Sequence, residues 1–326
     1  MRCIISPSNN PHFNLAAEEY FLRKSDEEFF LLYVNEPCIV VGKHQNLLAE
    51  INLRYAIDHN IKLARRISGG GAVYQDLNNL NFSFIHNAAN PDQLNFRKFT
   101  TPVLDALKEM GLAAEFSGRN DLLIDSRKIS GNAMHIFKSR ILSHGTLLFN
   151  ADLNCLSEAL KNNPERYIDK SIKSVRSNVT NISKYLDTSL SMELFCKNLF
   201  NNISGKLVNK NTKIIDNQEI DFINLILEEK FSTWDWIYGY SPKYVFKNSF
   251  SFSELKINLE LYVEKGIITG VEADFDSIGS PLFQHSVKLL KGIKHDYYAI
   301  TELLKKEKLQ QSSPSFNIDN FCENLF

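Results

Sequence analysis

Neither sign of charge predominates in this chain of 326 residues, where 37 lysines and arginines stand against 38 aspartates and glutamates. That balance excludes a global electrostatic footprint for nucleic acid or an anionic membrane, so any anion must be bound locally. No stretch approaches the ~20 apolar residues that span a bilayer. Residues 1–10 carry one arginine and no long apolar run, so neither a membrane span nor a leader is expected, and the protein is read as cytosolic. The five cysteines, Cys3, Cys38, Cys155, Cys196 and Cys322, are odd in number and never spaced as CxxC. They suggest neither a disulfide framework nor a zinc site, and they fit a reducing compartment. The sequence also lacks repeats of about 20 to 50 residues, and its only compositional bias is a modest excess of asparagine.

What is present is the composition of an ordinary globular protein, 44% hydrophobic and 23% charged, on a chain longer than one core needs. One large domain plus a smaller one is expected. Residues 14–24 (NLAAEEYFLRK) read as the first helix, with Glu18 and Glu19 early and Arg23 and Lys24 late, the order that complements a helix dipole. FFLLYV (Phe29–Val34) and CIVV (Cys38–Val41), split by Pro37 and closed by Gly42, read as buried strands. A second helix is expected over 53–59. A third covers 100–111 (TTPVLDALKEMG), with a threonine cap, Pro102 at the first helical position and Gly111 just past its end. The runs 81–85, 121–125, 128–134 and 140–149 make the middle sheet-rich. Past the aromatic cluster at 234–244, strands at 249–264 and 267–274 precede a helix at 283–292. The domain boundary is placed near 245, which gives a large domain over 1–245 and a small one over 246–326.

Residues 63–76 (LARRISGGGAVYQD) set two arginines, a serine and three glycines between strand-like segments. Glycines let backbone N–H groups approach an anion closely, and Arg65 and Arg66 add planar cationic donors suited to phosphate or carboxylate. A P-loop would need Lys and Ser or Thr after the last glycine, where Ala72 and Val73 stand. A dinucleotide fingerprint would need a helix to start at the glycines, but AVYQD reads as a strand. The alternative is a glycine-rich hairpin turn with surface arginines. In residues 117–133 (SGRNDLLIDSRKISGNA), Lys128 lies on a strand just after a DSR turn and shortly before Gly131. Alone it reads as a solvated side chain. Residues 144–153 (HGTLLFNADL) read as a core strand with a polar entry, and His144 by itself reads as structural.

Taken together and in order, RRISGGGAV, GRND, RKISG and HGTLL resemble the motifs of the lipoate-protein ligase family. The resemblance extends to FNLAAEE, to SVRSNVTNI at 174–182, and to WDW and VEKGII, and so covers nearly the whole chain. It implies an α/β (α+β) catalytic domain of the fold shared by biotin and lipoate ligases and class II aminoacyl-tRNA synthetases, with a small bacterial-type accessory domain. The implied activity is ATP-dependent and AMP-forming. Lipoate is activated to lipoyl-AMP and passed to a lysine of a carrier, the glycine-cleavage H protein or an E2 subunit of a 2-oxoacid dehydrogenase.

By the same resemblance Arg66, Gly70, Gly71, Ala72, Val73 and Tyr74 line the nucleotide, with Asn120 and Asp121 at the adenylate. Lys128 bridges the lipoate carboxyl and the α-phosphate, and Asp121 supports Mg²⁺. His144 and Gly131 fall near the acyl pocket, whose apolar walls are expected from the strand residues after Gly42 and from the Ile129 and Leu147 strands. A cytoplasmic monomer is implied, with no nucleic-acid or membrane partner.

His135 and Gln75 depart from the family pattern, and Tyr20 is read as packing variation. An acyltransferase of the same superfamily would need a cysteine nucleophile, yet none occurs between Cys38 and Cys155. The loop typical of biotin ligases, GRGRxGR-like, is missing. A transferase that uses preformed lipoyl-AMP without adenylation, or a non-catalytic lipoate-binding module, remains as the alternative.

Overall fold

A computed structural model describes residues 1–88, 96–118, 120–187, 189–207, 210–252, 255–275, 281–307 and 317–326. The chain forms two compact units. The first comprises Met1–Lys43, Asn60–Leu160 and Ser174–Thr233, and the second His44–His59, Lys161–Lys173 and Trp234–Phe326. Arg119 of the GRND motif and residues 253–254 of the expected 249–264 strand lie outside the described residues.

The first unit is built on a mixed sheet. From one edge its strands are Asn211–Thr212, Arg2–Ile5, Phe29–Val34, Asn79–Asn87, Arg140–Leu148, Arg127–Phe137, Asp121–Ile124 and Glu115–Ser117. The first three run parallel and the remaining pairings are antiparallel. FFLLYV is apolar throughout because both faces of its strand are covered. Phe30 and Leu32 join a core with Phe82, Phe84, Val103, Leu107, Phe195 and Leu199, which draws on helices Phe96–Glu109 and Met192–Ser204. On the other face Phe29 stacks on Phe21 of helix Pro11–Lys24, at 4.4 Å between ring centroids. The neighbouring strand alternates strictly: Leu80, Phe82 and Phe84 enter the core, while Asn79, Asn81 and Ser83 are buried on the opposite face. A second sheet has Cys38–Val41 at its centre, parallel to Lys62–Arg65 and antiparallel to Val73–Gln75. The glycine loop joins its two outer strands.

Several sequence expectations shift. The first helix starts at Pro11, capped by Asn10, whose side chain accepts the His12 N–H at 2.9 Å. An asparagine cap followed by proline is the usual opening of a helix. Glu18 and Glu19 therefore sit in mid-helix and are both buried, so they do not serve the dipole. The third helix starts at Phe96, so Thr100 and Thr101 are interior residues and neither is its cap. Pro102 is tolerated inside it, and the adjacent Thr101 hydroxyl donates to the Arg97 carbonyl at 2.6 Å. Gly111, at φ +85°, closes it as expected. After Gly42 the chain enters helices Leu47–Glu50 and Leu53–Asp58 of the second unit, so no strand follows Gly42 to line a pocket. Helices Met192–Ser204, Asn217–Ile226 and Tyr297–Lys306 were not foreseen, because asparagine and aromatic residues weaken the local helical signal that tertiary packing overrides.

The second unit is a sheet in the order Tyr167–Asp169, Tyr244–Phe252, Leu255–Glu264, Ile267–Phe275, antiparallel throughout. Helices Pro281–Leu289, Tyr297–Lys306 and Ile318–Glu323 accompany it. Its buried His295 accepts the Tyr244 hydroxyl at Nδ1 (2.7 Å) and donates from Nε2 to the Leu325 carbonyl (2.5 Å). Burial pushes its pKa down to about 4.

The unfolded ring titrates near ~6.5, so the unfolded state binds the extra proton first as pH falls. Stability of this unit is therefore complete above about pH 6.5 and is lost as the pH falls toward about 4, by on the order of 3 kcal/mol for this group. Both tryptophans, Trp234 and Trp236, lie in this unit, so their fluorescence follows its unfolding. The urea midpoint should fall from pH 7 to pH 4.5, and His295→Gln should flatten that dependence.

Candidate active site

The glycine loop is held from within by arginine. Arg66 is buried, and its guanidinium donates to the carbonyls of Val40 (3.0 Å), Gly69 (2.7 and 3.2 Å) and Gly71 (2.8 Å) and to Ser68 Oγ (3.0 Å). Burial lowers its pKa to about 10, with Glu18 and Tyr33 acting the other way, so it remains a cation at neutral pH. Arg65 has no exposed surface and donates to the carbonyls of Gly42 (3.0 Å) and Lys43 (3.3 Å). Arg66 thus orders the loop backbone, and Arg65 the turn at Gly42–Lys43.

Two glycines are required by this geometry. Gly70 has φ +93°, and an added Cβ would stand 2.9 Å from Arg66 Nη2. At Gly42 a Cβ would meet the Gly70 carbonyl oxygen at 2.1 Å. Gly69 has open space around it.

The Arg127–Phe137 strand supplies the cation. The hairpin before it turns through Asp125 (φ 49°) and Ser126 (φ 59°), the left-handed pair that suits a two-residue turn. A register shift follows: Leu123 faces Lys128 and Leu122 faces Ser130, so Ile129 is an extra residue. This bulge puts Lys128 and Gly131 on one face. A Cβ on Gly131 would lie 3.1 Å from Lys128 Cε. Lys128 Nζ pairs with Asp121 Oδ1 at 3.0 Å, each side chain about one quarter exposed (25% and 28%). Asn120 and Asn132 brace the turn reciprocally, each amide donating to the other's carbonyl (2.7 and 2.6 Å).

The loop and the lysine share this face. A Cβ on Gly70 would lie 3.9 Å from Ala133 Cβ, one alternation along the strand from Gly131. The SVRSNVTNI segment ties them together. Ser174 Oγ accepts the Ala72 N–H at 2.9 Å, and Lys128 exchanges backbone hydrogen bonds with Asn178 (2.8 Å) and Thr180 (3.0 Å).

Family models match two parts of the chain: the lipoyl protein ligase A/B catalytic domain over residues 10–204, and the bacterial lipoate protein ligase C-terminus over 241–325. Lipoate-protein ligase LplJ of Bacillus subtilis is 39% identical over 322 residues, covering 98% of this chain and 97% of that one. Lipoate-protein ligase 1 of Staphylococcus aureus is 41% identical over 308 residues, covering 93% and 94%. A crystal structure of lipoate-protein ligase A bound with ATP matches with a TM-score of 0.62 at 27% identity, over 74% of this chain and 100% of that one. The chain belongs to the lipoate-protein ligase family.

This ligase therefore has the mixed α/β architecture that its motifs implied. The residues singled out in its sequence do not all meet one space. Gly70, Gly131, Asp121 and Lys128 gather on the face just described, and Gly71 and Ala72 lie against Ser174. Val73 and Tyr74 form the strand that leaves the loop, Tyr74 being buried. Asn120 is turned to Asn132, and Arg66 is turned into the loop. His144 is buried with both ring nitrogens engaged, by Ser68 and Glu18.

Gln75 accepts the Asn35 amide at 2.7 Å inside the fold. Tyr20 stacks on Phe222 at 6.1 Å, a packing role. His135 is held to a pKa of about 4 by burial and by Lys43 and Arg23. Cys38 is fully buried and its thiol is pushed far up by burial, which makes it inert as a nucleophile.

Sequence reasoning passed over Glu18, Tyr33, Ser68, Ser83 and Ser174. The signal for Ser83 was available in NLNFSF (79–84), where polar residues alternate with core residues in an otherwise apolar strand.

Alanine substitution should separate the glycines by thermal unfolding. Gly69→Ala should change stability by less than about 0.5 kcal/mol, whereas Gly70→Ala should cost about 1–2 kcal/mol for its left-handed backbone. Gly42→Ala should cost more than either, because its Cβ would overlap backbone. Equal effects at the three positions would contradict this account of the loop.

Proposed function

We propose that this ligase uses ATP to activate lipoate as lipoyl-AMP and then passes the acyl group to a protein lysine, with the glycine loop and Lys128 as its working parts. The shared sheet face of Gly70 and Lys128 carries the reading. In the first step a lipoate carboxylate oxygen bonds to the α-phosphorus, the bond to the bridging oxygen breaks, and pyrophosphate leaves. The two reactants are both anions, so cationic and N–H donors that already point at them lower the barrier. In the second step a carrier lysine amine attacks the acyl carbon, AMP leaves, and the amine loses its proton.

Gly70, Gly71, Ala72, Val73 and Tyr74 line the nucleotide through loop and strand backbone, with Asn120 and Asp121 beside the adenylate. Arg66 acts here through the loop carbonyls it fixes. Lys128 bridges the lipoate carboxyl and the α-phosphate and then polarises the acyl carbonyl. His144 and Gly131 border the acyl end.

Asp121 offers a half-buried hard oxygen. Among the described residues no group of three His, Cys, Asp or Glu could hold a metal unaided. Asp121 would help hold a Mg²⁺ completed by nucleotide phosphates and water, and the ion would supply neutralisation of phosphate charge. A catalytic part over 1–245 and an accessory part over 246–326 complete the reading, supported by the family matches to 10–204 and 241–325, although by compactness 44–59, 161–173 and 234–245 group with the second unit.

The carriers are the glycine-cleavage H protein or E2 lipoyl domains. One structural relative, an archaeal bipartite lipoate protein ligase with a TM-score of 0.63 at 27% identity over 73% of this chain, is described with its E2 lipoyl domain. No described helix is long and apolar enough to cross a membrane. We place the enzyme in the cytoplasm as a monomer.

Lipoate-dependent exchange of labelled pyrophosphate into ATP tests the first step. Exchange is expected with lipoate and little with biotin. Its absence, with transfer from synthetic lipoyl-AMP intact, would reduce the protein to a transferase. Lys128→Ala should lower the exchange rate about a hundredfold with the fold intact. Near-normal turnover would refute its role.

A further inference from the structure

A row of buried polar groups connects the glycine loop to helix Pro11–Lys24, and the steps above give no role to two of its members, Ser68 and Glu18. Arg66 Nε donates to Ser68 Oγ at 3.0 Å, and Ser68 Oγ lies 2.6 Å from His144 Nε2. His144 Nδ1 lies 3.0 and 2.8 Å from the two carboxylate oxygens of Glu18. Glu18 Oε1 also accepts the hydroxyls of Tyr33 (2.9 Å) and Ser83 (2.6 Å). Ser68, Glu18 and Ser83 have no exposed surface, and His144 has 6%.

The serine, histidine and carboxylate have the spacing of a nucleophilic triad. Ser68 is nevertheless sealed from solvent, and its oxygen already takes the Arg66 N–H. It is placed as a connector.

Proton positions follow from donor and acceptor capacity. An ionised carboxylate only accepts, so Nδ1 of His144 carries a proton. If the ring is neutral, Nε2 accepts from Ser68, whose oxygen remains free to accept from Arg66. If the ring is an imidazolium, Ser68 receives two donors and its own proton has no acceptor among the described residues. Charge points the same way. With Arg66 cationic and Glu18 anionic, the neutral ring leaves the buried group without net charge, whereas the imidazolium leaves an uncompensated positive charge in a low-dielectric interior. Burial works to raise the pKa of Glu18, and against it the carboxylate accepts the Nδ1–H of His144 and the hydroxyls of Ser83 and Tyr33, hydrogen bonds that favour the ionised form.

We propose that Glu18 is a positioning residue for the glycine loop: it fixes His144 as the neutral Nδ1–H tautomer, so that Ser68 donates to His144 and accepts from Arg66. Arg66 in turn holds the carbonyls of Gly69 and Gly71. Every hydrogen bond in the row then points one way, from Arg66 to Glu18. The kinetic consequence rests on the reading that the loop holds the nucleotide; the tautomer does not.

The test begins with the full-length wild-type protein labelled with ¹⁵N-histidine at pH 7.5, the His144 resonances being assigned by their loss in His144→Gln. The Nδ1–H tautomer is expected, and an Nε2–H tautomer or an imidazolium would overturn the proposal without any need for a stable Glu18 variant. In Glu18→Gln the carboxamide presents N–H to Nδ1, so the proton should move to Nε2. The KM for ATP should then rise about tenfold, the scale of one misdirected charge-assisted hydrogen bond. A ring that keeps its Nδ1 proton in Glu18→Gln refutes the coupling. An unmoved KM for ATP in Glu18→Gln alone, with Gly70→Ala affected, refutes the positioning role. An unmoved KM in both variants refutes the nucleotide reading together with the kinetic half of the proposal. Fluorophosphonate labelling of Ser68 would replace the connector with a nucleophile.

Discussion

Arg66 is a cation buried beneath a backbone that would not keep its shape unaided, and the site depends on how that cation is accommodated. Its donors reach Val40 on the central strand, Gly69 and Gly71 on the loop, and Ser68 between them. A buried guanidinium is tolerable only when its N–H groups are satisfied and its charge is compensated. The first condition folds the loop around the side chain. The second ties the loop, through Ser68 and His144, to Glu18 on a helix that covers the sheet. Gly42 and Gly70 follow from the same constraint, since the loop carbonyls must approach both Arg66 and the strand beneath.

The sheet was divided by polarity to permit this. On the strand Asn79–Asn87 one face packs phenylalanines against two helices, and the other carries asparagines and serine toward Glu18 and Tyr33. Ser83 stands opposite His144 in the strand register, so a single carboxylate meets both. Farther along, the bulge at Ile129 turns Lys128 onto the face that the loop overhangs. A flexible cation is thereby held by Asp121 and confined by Gly131, partly exposed at the point where two anions would have to be brought together.

Much of this was legible in the sequence, and the failures share a cause. The glycine loop, its flanking strands and the strand of Lys128 were recoverable because glycine runs, short β-branched runs and a DS turn act locally. The start of helix Phe96–Glu109 was not, because the Thr-Thr-Pro run at 100–102 imitates an N-terminus while Phe99 is buried and packs on His86. Arg66 was read as a ligand of phosphate. From residue type alone, an arginine that binds an anion is indistinguishable from one that binds the carbonyls of its own loop. Glu18 looked like a dipole residue because its partners, Ser83 and His144, lie 65 and 126 positions away. Long-range polar networks leave only the faint trace of polar residues alternating inside an otherwise apolar strand.

The family relationship supplies the acyl group and the nucleotide, and the geometry supplies a reason why this face should hold them. Calorimetric titration with a non-hydrolysable lipoyl-adenylate analogue tests that claim most directly. Tight binding by the wild-type protein and a loss of about a hundredfold in Lys128→Ala is the predicted result, the scale of a charge-assisted contact removed from a part-buried site. Equal affinity for the two proteins would contradict it.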